Sequence, residues 1–166
     1  MIIKMLASLL LLLSVAAGSA QTKPDFSGVW ILDLSVLKTT YKVDPKMKQT
    51  ALPPTPVTVT QTAETIAIEN APPFPGWKPV RHVYNLTGKE SVNHNGANTQ
   101  TTRSRWQGSK LITEGTSFTE TSQGESLWKL VETRWLDEKG RMIVETRTTD
   151  EAGRPNVVTK TFDKKK

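Results

Sequence analysis

No cysteine occurs anywhere in the 166 residues. The chain therefore has no disulfide, no thiolate metal site, no cysteine nucleophile and no cysteine for N-terminal lipidation, and its stability rests on packing and hydrogen bonds alone. Histidine is scarce as well: His82 in a strand-like run and His94 in an Asn-rich loop are its only two occurrences. Imidazole metal centres gather three or four convergent donors, so no metal site is expected. A serine nucleophile would most simply use one of these histidines as its base, and nothing in the sequence sets either beside an activated serine. No G-x-S-x-G elbow, H-E-x-x-H pair or glycine-rich phosphate loop is present, which removes the corresponding catalytic and nucleotide-binding signatures. Neither enzyme activity nor a cofactor is expected; only a carboxylate pair assembled in space, which leaves no motif, lies outside that exclusion.

Long apolar runs are equally few. The single one, Met5 to Ala17, follows Lys4 and precedes the small residues Gly18-Ser19-Ala20, the layout of a secretory signal peptide over residues 1–20. It is too short for a membrane span, which takes about 20 apolar residues, and no second run follows. The expectation is a single soluble domain over residues 21–166, exported to the periplasm or secreted. Hydrophobic residues make up 36% of the whole chain, signal included, so the core of that domain is lean. Lysine and arginine number 22 against 16 acidic residues. Lys164, Lys165 and Lys166 form a tail, and Glu alternates with Arg in Glu132-Thr133-Arg134 and Glu145-Thr146-Arg147. The basic excess therefore reads as solvated charge and cross-strand pairing, and no nucleic-acid partner is expected.

Threonine, by contrast, is abundant, with 23 residues mixed among Val, Ile, Trp and Arg in short runs. β-Branched residues suit the pleated surface of a sheet. Nine runs read as strands: Ser27 to Leu34, Pro56 to Gln61, Glu64 to Asn70, Val80 to Leu86, Thr99 to Trp106, Lys110 to Ser117, Glu125 to Leu136, Arg141 to Thr149 and Asn156 to Phe162. A tenth is weakly marked near Glu90 to Asn93. Gln107-Gly108-Ser109, Asp137-Glu138-Lys139-Gly140 and Asp150-Glu151-Ala152-Gly153 each place a glycine where a hairpin needs positive φ. From Thr99 onward the chain reads as an antiparallel meander, without crossover helices. The predicted fold is all-β, a single antiparallel barrel of eight to ten strands.

Two segments break the pattern. Ser35 to Thr55 carries Asp44-Pro45 and Pro53-Pro54 and has room for a short helical turn. Ala71 to Pro79 sets Phe74 and Trp77 among four prolines. Proline cannot donate to a ladder, so both are loops or edge excursions. The second is either a lid or partner-contact loop, or a loop folded against the barrel by its aromatics; the latter is the simpler reading.

Side chains alternate between the inside and outside of a barrel. Thr102, Ser104 and Trp106 are assigned inward and Thr101, Arg103 and Arg105 outward; Met142, Val144 and Thr146 are likewise inward. Between Leu127 and Leu136 both faces carry apolar residues, and the assignment stays open. Ligand pockets are mostly apolar with a few placed polar groups. His82, Tyr84, Trp106 and Trp128 are the candidate ligand-binding residues, and Arg103 joins them only if a bulge re-aims it.

Pro24-Asp25-Phe26-Ser27-Gly28-Val29-Trp30-Ile31-Leu32-Asp33 opens the region after the signal. It resembles the G-x-W opening of lipocalins and other calycins, and more closely the start of small exported lipocalin-like proteins of bacteria. The resemblance implies that Gly28 lets the chain bend into the first strand. It also implies that Trp30 closes one end of the barrel beneath an arginine, here Arg147 or Arg154. The Pro-rich inserts and the missing disulfide depart from the family's usual pattern. Together these readings lead to an exported protein that binds a small, partly apolar ligand. The alternative is an envelope interaction protein with a filled barrel and a contact loop at Phe74 and Trp77.

Overall fold

A computed structural model describes residues 22–39, 55–72, 74–122 and 124–166. The expected signal peptide and most of the proline-broken segment between Ser35 and Thr55 lie outside the described residues. All nine expected runs are strands, and so is the weakly marked tenth. They are β1 (Gly28–Leu32), β3 (Val57–Gln61), β4 (Thr65–Asn70), β5 (Val80–Asn85), β6 (Glu90–Asn95), β7 (Asn98–Gln107), β8 (Lys110–Thr121), β9 (Gly124–Leu136), β10 (Met142–Thr149) and β11 (Pro155–Lys164). Between β1 and β3 the chain makes a 3-10 turn (Leu34–Val36) and a two-residue strand, β2 (Lys38–Thr39), against β11. Asp33 caps that turn, its carboxylate accepting from the Ser35 N–H at 2.9 Å.

The strands form one antiparallel sheet in the order β5, β4, β3, β1, β11, β10, β9, β8, β7, β6, with β2 off this path. The sheet curls into a nearly closed barrel of meander order, in which five consecutive strands, β7 to β11, pair as hairpins. Two of the hairpin turns repeat one device, Asp-Glu-x-Gly-Arg, at residues 137–141 and 150–154. In each, the aspartate accepts from the arginine N–H (2.9 and 2.8 Å) and from its Nε (2.9 and 2.6 Å). Gly140 and Gly153, at φ 73° and 77°, occupy the left-handed conformation that closes each turn.

The two ends of the path, β5 and β6, meet without a backbone ladder. Side chains of β6 take its place: Ser91 Oγ accepts from the Asn85 N–H at 2.8 Å, and Asn93 bonds the Val83 N–H and C=O at 2.7 and 3.1 Å. Three backbone groups of the β5 edge are thereby satisfied by side chains in place of a ladder.

Register settles which face of β9 is inner. Met142 is wholly buried in the core, and it pairs with Leu136. Positions 128, 130, 132, 134 and 136 therefore face inward with it. The apolar residues of the opposite face are partly covered from outside: Lys110 Nζ lies 4.9 Å from the Trp135 ring centroid, and Ile112 and Ile143 are buried there.

One end of the barrel is packed. Phe26, Trp30, Ile66 and Met142 are at or below 1% exposed, with Leu111, Leu86 and Phe162 around them. The Trp30 indole N–H donates to the Phe26 carbonyl at 2.8 Å, so its polar edge is satisfied inside that core. The cation above Trp30 is a lysine, not the expected arginine: Lys164 Nζ stands 5.4 Å from the ring centroid. Register makes this choice, because β1 and β11 pair Trp30 directly with Lys164. Arg147 reaches Glu145 and Arg154 reaches Asp150 instead.

Candidate ligand site

Toward the other end the same inner face is no longer sealed. His82, Gln100, Ser117, Glu132, Thr146 and Thr148 share the inward register yet are only half-buried. Two walls face one another here. β3, β4 and β10 present Val57, Val59, Ile66, Ile68 and Val144, which continue the packed core around Trp30 and Met142, whereas β6 to β8 present Ser91, Asn93, Gln100, Thr102, Ser104 and Thr113.

Polar groups on the second wall are mostly spoken for by one another. Ser104 and Thr113 share a hydroxyl–hydroxyl bond at 2.8 Å. Thr102, 1% exposed, is different: among the described residues its Oγ1 is the one buried side-chain polar atom without a partner. A buried hydroxyl left in that state costs stability.

Tyr84 and His82 come together as two inward residues of β5. The Tyr84 hydroxyl lies 3.3 Å from His82 Nδ1 and donates to Gln100 Oε1 at 3.4 Å, and the two rings meet edge to face. Burial pushes the Tyr84 phenol well above its ordinary range, with the nearby Glu132 carboxylate adding to the effect and Arg134 opposing it. Burial also lowers His82 below its usual value, against the pull of Glu132. Both side chains are therefore neutral at pH 7.

The sequence reading missed the two charges of this site. Arg134 is buried, and its guanidinium donates to Glu132 Oε1 at 2.7 Å and to the Met142 sulfur at 3.2 Å. The signal was present in the parity that Glu132 and Arg134 share with Trp128, Leu130 and Leu136. It was masked by the covered outer face of β9.

The remaining expected residues are dispersed. Trp106 points inward but sits at the packed end, stacked on Phe26 with centroids 6.0 Å apart. There it borders a surface hollow of about 400 Å³ with Lys23, Asp25 and Gln61. Trp128 lies at the opposite rim, beside a hollow of about 270 Å³ formed with Leu127, Glu151 and Arg154. Arg103 is exposed, pointing outward to Glu90 at 3.5 Å, and no bulge re-aims it. Phe74 and Trp77 are not folded against the barrel; they pack edge to face on each other, 45% and 65% exposed. Among the described residues no group of three or more metal-ligating side chains forms, and no helix is long and apolar enough to cross a membrane.

No family model matches the sequence, and no curated protein is detectably similar to it. Solved structures with the same fold do exist. One is the zebrafish ileal bile acid-binding protein in complex with cholic acid, at 16% identity and a TM-score of 0.55, over 84% of this chain and 98% of that one. At that identity the likeness concerns the fold, and together with the nearly closed meander it makes this chain a calycin-like barrel.

Proposed function

We propose that this protein is an exported carrier that holds a small, partly apolar molecule in the open half of its barrel and performs no catalysis on it. The observation that carries the reading is that His82, Gln100, Ser117, Glu132, Thr146 and Thr148 face inward yet are only half-buried, with the Tyr84 hydroxyl beside them. An interior filled only for stability would bury these inward residues as fully as it buries Trp30 and Met142. The zebrafish neighbour, a bile acid-binding protein, supports a ligand-binding use of this architecture.

Native mass spectrometry of protein purified gently from its own source, followed by denaturing extraction, tests the proposal. A stoichiometric extra mass released on denaturation is expected. A second reading is favoured by the exposure of Phe74 and Trp77: an interaction protein that uses this loop as its contact surface. It predicts a clean mass for the isolated chain and a native cross-linked partner that is lost in a Phe74→Ser, Trp77→Ser variant.

A further inference from the structure

We propose that the barrel selects an uncharged, hydroxyl-bearing amphipath and discriminates against a carboxylate on the same apolar body. This inference rests on the carrier reading and names its ligand class. It follows from how the charges inside the barrel are arranged. Arg134, the cation nearest Tyr84 among the inward side chains described, already has its carboxylate: Glu132 stands two residues away on the same inner face, bonded at 2.7 Å. Met142 Sδ takes a second guanidinium hydrogen. A ligand carboxylate approaching Arg134 would meet Glu132 as a like charge, in surroundings where burial makes that repulsion count.

Other inward charges do not alter the balance. Two lysines of β11 share the inner register; Lys164 lies over Trp30 at the packed end, and Lys160 is exposed to water. What the walls offer at the unsealed end is otherwise neutral. The Tyr84 hydroxyl, the His82 ring and the Gln100 amide can each donate or accept, which suits hydroxyl and ester groups. Ile68 and Val144, which share the inward register with His82 and Thr146, take the hydrocarbon.

The test compares dodecanoic acid with 1-dodecanoylglycerol, which share one tail and differ in the charge of the head, by calorimetric titration of the ligand-stripped full chain at pH 7.5. The glycerol ester should bind about tenfold or more tightly than the acid, a difference that corresponds to roughly 1.4 kcal/mol. Glu132→Gln leaves Arg134 uncompensated and should raise affinity for the acid by about tenfold while changing the ester little. Because that variant leaves a buried cation unpaired and risks misfolding, Glu132→Gln with Arg134→Gln serves as its neutral counterpart and should keep the preference for the ester. Tighter binding of the acid by the wild type overturns the inference and leaves the carrier reading standing. Binding of neither probe, with clean native mass spectra, overturns both.

Discussion

Asn93 grips Val83 by both polar groups of its backbone: its Oδ1 accepts from the Val83 N–H at 2.7 Å and its Nδ2 donates to the Val83 carbonyl at 3.1 Å. An asparagine side chain thus replaces two rungs of the ladder that β5 and β6 do not make. A carboxamide does both, because its oxygen accepts and its nitrogen donates. Asn93 is buried, so cutting it away strands two backbone groups in the seam.

Asn93→Ala should therefore lower stability by about 1 to 3 kcal/mol, the cost of leaving buried polar groups unpaired. Urea denaturation measures the loss, and hydrogen exchange localises it. The Val83 amide should lose its protection first, while amides in the β9–β10 ladder keep theirs. Unchanged exchange at Val83 would mean that the seam is held by something other than Asn93.

Gly28 and Lys164 make a second pairing with a separable cause. Gly28 has φ 138°, a conformation that costs other residues about 1 to 3 kcal/mol. A Cβ built on it would also stand 2.6 Å from the Cε of Lys164. That atom belongs to the flexible end of a long side chain, so it can give way, whereas the backbone cannot.

Gly28→Ala should consequently cost about 1 to 3 kcal/mol, and Lys164→Ala in the same background should return no more than about 0.5 kcal/mol of it. In the wild type, Lys164→Ala should cost about 0.5 to 1 kcal/mol through the lost contact with the Trp30 ring. The four urea curves of this cycle decide the matter. Full rescue by Lys164→Ala would assign the glycine to steric clearance instead of backbone conformation.

Much of this architecture was legible from residues alone, and the physical reasons are specific. Turn chemistry marked the hairpins, since aspartate followed by glycine at fixed spacing names both the cap and the left-handed residue. Strict alternation oriented β7, where Thr102 and Ser104 proved buried and Arg103 and Arg105 exposed. Alternation could not orient β9, because Trp135 is shielded by Lys110 and Leu130 lies inside, so apolar residues fall on both parities. Hidden in that ambiguity was the Glu132–Arg134 pair, the most consequential feature of the interior. Register across strands was equally invisible, which is why Lys164, and not an arginine, turned out to cover Trp30. Cross-strand partners are set by how far each strand slides, and a single residue of slip moves every side chain to the other face.

His82 links the candidate site to pH. Burial lowers its folded pKa below the ordinary 6.5 while the unfolded chain keeps that value. Between those two values the unfolded state binds more protons, so stability rises with pH across this window. The stabilising contribution is complete above about pH 6.5 and is lost as pH falls toward the folded pKa. The aspartates whose carboxylates accept turn hydrogen bonds, Asp33, Asp137 and Asp150, are shifted downward from 3.8 and act in a separate, more acidic window. Denaturation midpoints for the wild type should therefore fall between pH 7.5 and pH 5, and His82→Gln should flatten that slope while leaving the acid limb below about pH 4 unchanged. A carrier adds one more consequence. Protonating His82 places a cation beside Tyr84 and Glu132, so a bound neutral ligand should be held more weakly at pH 5 than at pH 7.5 in the wild type, and equally at both in His82→Gln. Calorimetric titration of 1-dodecanoylglycerol at the two pH values measures this, and a pH dependence that survives the substitution would assign it to another group.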